Sequence, residues 1–418
     1  MIELAEIFQC LWESCAFKRD FLRGQILQKG IFEAQGFVLA ENLKASRALP
    51  AFSNSAMDGY AVLLEDCGRE VELLGRTLAG QKPQEALLQK GFVQKVMTGS
   101  PLPSNTQAIV PVELVENLAN GKIKLPNEIK PNQHIRLQGE EIALDSVILP
   151  AYRRLKSLDL GLVATQGLEK VSVCKKPKIA LFSTGDEVIE PGQSAQAHQI
   201  YNTNAISIFS ILREFHHDIE YRGILPDKRE VLEQRLGSLK SCDVVITTGG
   251  ASVGDADMLK STLQKLGAQI LFDGVCLKPG RHLSVAILGE CIFILLPGNP
   301  LASLLHLYAI IVNFLEFLSG ANDCFLKAHR VRSNIACTPT SGAQNLLLGV
   351  ENDGIFEIFK NGKFGSSALI NVWKNNALAM IDKDYGKIEA LEELFCVRFG
   401  AREFEAQCRF INSKRSGT

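Results

Sequence analysis

Residues 243–257 read Asp243-Val244-Val245-Ile246-Thr247-Thr248-Gly249-Gly250-Ala251-Ser252-Val253-Gly254-Asp255-Ala256-Asp257. The first five have an apolar centre and the length of a strand, and residues 256–266 carry helical spacing. Between them lies a loop of glycines, hydroxyls and carboxylates. A strand without polar alternation has both faces covered, and a strand leading into a helix is half of a βαβ unit. The stretch therefore predicts a mostly parallel α/β sheet, and the sequence around it repeats the pattern. Residues 178–183 read as a strand, 204–215 as a helix, 219–225 as a strand, 228–239 as a helix, 291–296 as a buried strand and 301–318 as a long helix.

Ligands of parallel sheets bind beyond the carboxyl ends of the strands. Three strand ends here deliver Thr184-Gly185-Asp186-Glu187, the Thr248–Asp257 loop, and Pro297-Gly298-Asn299-Pro300. Their glycines allow backbone N–H groups to approach an anion, and a helix starting after each loop adds its positive end. Carboxylates in such loops repel phosphate unless a hard cation lies between, so Asp255 and Asp257 point to Mg²⁺. Lys278 and Arg281 flank a Pro-Gly turn, which holds two cations close together and suits an oxyanion. The expected ligand is a phosphate-bearing small molecule with a divalent metal.

Working outward, residues 60–148 consist of short alternating runs separated by Gly, Pro and Asn, which predicts a small β-rich unit. Residues 4–18 form an amphipathic helix, 156–164 a helix, 167–173 a short strand, and Lys175-Lys176-Pro177 a boundary. Beyond Ser319, turns at Asn352-Asp353-Gly354, Asn361-Gly362 and Tyr385-Gly386 predict a small C-terminal β domain, with 412–418 a disordered tail.

A length of 418 residues suits roughly three domains of ~150 residues. A net charge of -1 supplies no field for nucleic acid or an acidic membrane. Met1-Ile2-Glu3-Leu4-Ala5-Glu6 lacks the cations of a signal peptide, and the apolar runs read as shorter than a membrane span of ~20 residues, so a cytoplasmic location is expected. The 11 cysteines form no CxxC pair and read as reduced thiols; the seven histidines show no zinc spacing, and His216-His217 reads as a surface pair.

In their order along the chain, the motifs at 55–62, 97–103, 136–142, 183–188, 200–204, 247–257, 278–281 and 296–300 resemble the molybdopterin molybdenumtransferase family, which includes the MoeA proteins and the E domains of gephyrin. The resemblance implies a multidomain α/β plus β chain. Its parts are an N-terminal linker and dimerisation domain (1–49 and 143–176), elongated and carrying an inserted β-rich domain (50–142); a three-layer α/β molybdopterin-binding domain (177–320); a C-terminal β domain (321–411); and the tail. It implies insertion of molybdate into adenylylated molybdopterin with Mg²⁺-dependent release of AMP, in an elongated homodimer fed by handover from an adenylyltransferase. Matched by motif, Asp58, Thr98, Glu187, Asp227 and Asp257 take the catalytic positions. Thr248, Gly249, Gly250, Ser252, Pro297 and Pro300 take substrate-binding positions, as do Lys278, Arg281 and Ser366 around molybdate. Asp255 and Asp257 take the metal positions.

The sequence departs from the family pattern in several places. Arg281 and Glu141 stand where Lys and Asp are usual, and Thr248 replaces a frequent Ser. Residues 341–350 lack the Gly-Arg motif usual in the C-terminal domain. Two other readings follow: a molybdopterin adenylyltransferase, which the full length argues against, and a catalytically reduced scaffold of the gephyrin type.

Overall fold

The computed structural model describes residues 1–82, 87–239, 242–249, 256–363 and 369–400, with 256 and 257 described by their backbone alone. The chain packs into two units. The first comprises Met1–Ala40, Tyr152–Lys156 and the chain from Val171 onward; the second comprises Glu41–Ala151 and Ser157–Lys170.

In the first unit, six strands make the central sheet: β1 (Lys178–Thr184), β2 (Asp218–Leu225), β3 (Val244–Thr248), β4 (Gln269–Asp273), β5 (Ser284–Leu288) and β6 (Cys291–Leu296), in the order β2-β1-β3-β6-β5-β4. The first four in that order run parallel. β5 and β4 add an antiparallel edge, which the sequence reading missed because it saw residues 274–283 only as a turn. The alternation of side chains explains the layering. Ile179, Leu181, Val244, Ile246, Ile292 and Ile294 face one core, whereas Ala180, Phe182, Val245 and Phe293 face another.

Helices cover both faces. They are α1 (Leu4–Gly24), α2 (Thr203–Glu214), α3 (Arg229–Gly237), α4 (Ala256–Lys265) and α5 (Pro300–Leu318), the last containing a π-helical stretch at Leu307–Ile311. Helix α2 buries Ala205, Ile208 and Leu212, a spacing of three and four that keeps one stripe on the sheet. On the other face α3 and α4 contribute Leu232, Leu236, Leu259 and Leu263. Helix α5 is long and apolar enough to cross a membrane by length and composition, contrary to the expectation of short apolar runs. Its apolar window is buried inside the protein, so these residues form the core between the layers. His217 also departs from the sequence reading. It is 3% exposed, whereas His216 is exposed, because the pair straddles the entry to β2.

C-terminal to α5 lie β7 (His329–Ser333), β8 (Gln344–Asn352), β9 (Ile355–Ile358), β10 (Ala377–Ile381) and β11 (Glu393–Arg398). They run in the order β8-β9-β7-β11-β10, and β10 pairs back to β8, so the five close into a small barrel. The expected disordered tail lies outside the described residues.

The second unit holds a six-stranded sheet in which Gly59–Val62 lies between Phe92–Val96 and the edge strand Ala108–Pro111. It packs on Tyr60, Val62, Val71, Val93, Val110 and Ile123. The expected β-rich character of residues 60–148 is present.

Candidate active site

Because β2, β1, β3 and β6 are parallel, their carboxyl ends share one edge, and the predicted loops meet there. At β3, Gly249 follows Thr248 with a φ of 91° and donates its N–H to Leu296 O at 3.2 Å. A Cβ on Gly249 would lie 2.7 Å from Thr184 O, and one on Gly298 would lie 3.3 Å from the Gly249 Cα. The three loops are thus in backbone contact, which only glycine permits. Hydroxyls lace them together. Ser183 and Thr248 Oγ atoms lie 3.3 Å apart, and Thr184 Oγ1 donates to Thr248 O at 3.3 Å. Asn204 Nδ2 donates to Gly298 O at 2.7 Å, tying the start of α2 to the β6 loop.

The end of β2 adds a fourth strand. Asp227 follows it and donates its N–H to Asp186 Oδ1 at 3.3 Å. Glu187 is exposed beside Gly185. Carboxylates from two strand ends therefore line the edge. Such oxygens suit a hard cation like Mg²⁺, which keeps several of its waters and needs few protein ligands. Among the described residues, no group of three or more His, Cys, Asp or Glu is placed to hold a metal. Gly250, Ser252, Asp255 and Ser366 lie outside the described residues, as does the Asp257 side chain.

The basic turn reaches the same loops by way of α5. Asn299 caps that helix by accepting from Ala302 N at 3.3 Å, and Pro300 occupies its first turn. Two residues into the helix, about 3 Å along its axis, Ala302 meets Gly280; four residues later His306 does the same. A Cβ on Gly280 would lie 3.0 Å from the Ala302 Cβ and 2.9 Å from His306 Nε2. His306 Nε2–H donates to Gly280 O at 2.8 Å. One helix face therefore presses the Lys278–Arg281 turn beside the Pro297–Pro300 loop. Lys278 and Arg281 are exposed, and among the described residues neither has a carboxylate within ion-pair distance.

The turn is also fixed from the barrel. Leu277–Lys278 pairs in parallel with the start of β8, so that Lys278 lies opposite Asn345. This is the stretch where the family's arginine motif is absent. The Asn345 amide donates to Thr340 O and Ala343 O at 2.8 and 2.9 Å, so it holds its own loop.

In the second unit, Asp58 and Thr98 come together. Asp58 Oδ1 accepts from Thr98 N at 2.7 Å and from Thr98 Oγ1 at 2.8 Å. These hydrogen bonds, the backbone one first, hold the Asp58 carboxyl below its ordinary pKa. Gly59 is required beside it, because a Cβ there would lie 2.4 Å from Val110 O.

Sequence reasoning missed His306 and a buried relay beneath the loops. Ser183 Oγ donates to Asn202 Oδ1 at 2.8 Å, Asn202 Nδ2 donates to Tyr221 OH at 2.7 Å, and Tyr221 OH donates to Glu190 Oε1 at 2.5 Å. Burial, then the bond to Glu190, pushes the Tyr221 phenol well above its ordinary pKa. Asn202 lay within a recognised motif, but Tyr221 and His306 have no local signal, since their partners are distant in sequence.

The fold and this edge define an α/β protein whose strand ends meet in glycine-lined loops. Comparison with known proteins makes the family specific. Residues 16–167 match the family model for the MoeA N-terminal region (domain I and II), and residues 180–316 match the probable molybdopterin binding domain. A molybdopterin molybdenumtransferase of Haemophilus influenzae is 32% identical over 367 residues, covering 86% of this chain and 90% of that protein. One from Nostoc sp. is 29% identical over 369 residues, with 84% of each covered. The crystal structure of the molybdopterin biosynthesis MoeA protein from Pyrococcus horikoshii shares the fold, with a TM-score of 0.80 at 23% identity, covering 96% of this chain and 100% of that one. The chain belongs to the molybdopterin molybdenumtransferase family of molybdenum cofactor biosynthesis, and it is an enzyme.

Proposed function

We propose that this enzyme inserts molybdate into the dithiolene of adenylylated molybdopterin, with Mg²⁺-dependent cleavage of the phosphoanhydride and release of AMP. One observation carries the reading: the turn bearing the exposed cations Lys278 and Arg281 packs on α5, whose first turn continues from the glycine-containing loop after β6. An oxyanion site next to a phosphate cradle is what joining molybdate to a nucleotide-bearing substrate requires.

In this reading Thr248, Gly249, Gly250, Ser252, Pro297 and Pro300 bind the adenylylated substrate through backbone N–H groups and hydroxyls. Lys278 and Arg281 bind molybdate, with Ser366 added from the C-terminal domain. Asp255 and Asp257 hold magnesium, which neutralises phosphate charge. Glu187 and Asp227 serve as catalytic acids at the same edge, and Asp58, kept ionised by Thr98, acts from the β-rich domain across a homodimer.

Domains at 1–49 with 143–176, 50–142, 177–320 and 321–411 divide this labour, in a cytoplasmic protein that receives substrate from an adenylyltransferase. Exposed Phe17, Phe21, Ile26 and Phe32 support self-association, being large apolar side chains clustered near the N-terminus.

The test incubates the full chain with adenylylated molybdopterin, molybdate and Mg²⁺. AMP release with formation of active cofactor is expected; neither product forming would overturn the reading. Asp257→Ala should lose most of this activity with an unchanged circular dichroism spectrum. Wild-type turnover in that variant would remove the role given to Asp257.

A further inference from the structure

The opposite edge of the central sheet carries a second concentration of charge. The chain enters β1 through Lys175-Lys176-Pro177-Lys178, α2 ends at Arg213 and Glu214, and His216-His217-Asp218 turns into β2. With Lys29 and Phe37, the three lysines, Arg213, the two histidines and Asp218 line a cleft of about 490 Å³, within the usual range of roughly 300–1,000 Å³ for small-molecule sites. Five cations line it (Lys29, Lys175, Lys176, Lys178 and Arg213) against one carboxylate, Asp218. The negative end of α2 accounts for Arg213. It does not account for the four lysines, which lie on other elements.

Two features set the cleft apart from a solvated basic surface. Lys176 is half-buried, with its Nζ 4.1 Å from the Phe37 ring centroid and donating to His216 O at 2.5 Å. Burial, then the neighbouring Arg154, lowers its pKa to about 8. At the floor, the His217 side chain is fully buried and neither ring nitrogen has a hydrogen-bond partner. Its closest carboxylate oxygen, Glu316 Oε1, is 3.6 Å away, and Glu316 is engaged by Arg154 Nε at 2.5 Å. Buried polar groups are almost always hydrogen-bonded. His217 is an exception, its nearest acceptor, Glu316 Oε1, lying just beyond hydrogen-bond distance beneath the cations.

We propose that this cleft binds a small oligophosphate anion, at a site separate from the strand-end loops. The seven-residue β1 has its first residue at this cleft and its last at the candidate active site, so the two lie roughly 20 Å apart. Phosphate oxygens would meet the ammonium groups, and the charge of a tri- or tetraanion would offset the excess of cations.

The experiment is calorimetric titration of the full chain with inorganic tripolyphosphate and, separately, ATP, in a Lys278→Gln/Arg281→Gln background that removes the molybdate cations, with AMP in excess to occupy the strand-end loops. One equivalent should bind. Adding Lys176→Gln and Arg213→Gln should weaken binding at least tenfold. Lys29→Gln, on a different element, should weaken it in the same direction with an unchanged melting temperature. Equal affinity for the two probes would mean the phosphate chain alone is read, and tighter ATP binding would add a base contact. The proposal fails if these variants titrate like their background, or if Lys387→Gln, in the barrel and outside the cleft lining, causes the same loss.

Discussion

Gly249 is the residue on which the strand-end site depends. Its φ of 91° is one that side-chain-bearing residues rarely adopt, and a Cβ would press on the Thr184 carbonyl. Gly249→Ala should destabilise the protein by about 1–3 kcal/mol and spread the loops, reducing AMP release more than tenfold. A melting curve and turnover like wild type would contradict the contact. His306 gives a pH-dependent signature. Burial lowers its pKa to about 4, so between pH 6.5 and 4 the unfolded chain binds a proton that the folded chain refuses. Stability is therefore lost as pH falls through this window, by about 2 kcal/mol between pH 7 and 5. His217, also held neutral by burial, acts in the same direction. His306→Gln keeps a donor for Gly280 O and should flatten the urea-midpoint slope between pH 7 and 5. An unaltered slope would show that His306 does not titrate as its burial implies.

At the scale of elements, α5 is both the core of the first unit and the ruler of its site. Its first turn is fixed by the Asn299 cap, and His306 lies on the face that meets the basic turn. Asn299→Ala should destabilise by about 1 kcal/mol through loss of the cap. It should also raise the KM for molybdate more than it lowers kcat, because the turn bearing Lys278 rests on that helix. An unchanged KM would separate the turn from the helix. The strand Leu277–Lys278 shows the same logic from the other side, since its pairing with β8 couples the basic turn to the barrel.

For the molecule as a whole, the α/β layers and the barrel are not independent. Ile7, Leu11 and Cys15 of α1, Leu304 and Leu305 of α5, and Leu346, Leu348 and Leu378 of the barrel belong to one buried cluster. Trp12 stacks on Phe317 with ring centroids 4.4 Å apart. A fragment of residues 177–320 would expose the apolar surface that α1 and the barrel cover, on the order of 2 kcal/mol for each large side chain returned to water. It should aggregate in size-exclusion chromatography coupled to light scattering, whereas the full chain should not. A monodisperse, folded fragment would show the shared core to be dispensable.

The sequence by itself determined the α/β layers, the strand-end loops and the family, because each rests on a local signal: apolar runs, glycine spacing and motifs in order. The same locality made β3 and β6 legible while β4 and β5 were not, since an edge hairpin is defined by its partner strand. Tertiary structure alone decided that α5 carries the basic turn to the strand-end loops, that Lys278 lies opposite Asn345, and that His217 is buried. Those facts depend on contacts between residues far apart in the chain, where packing sets position and burial sets charge.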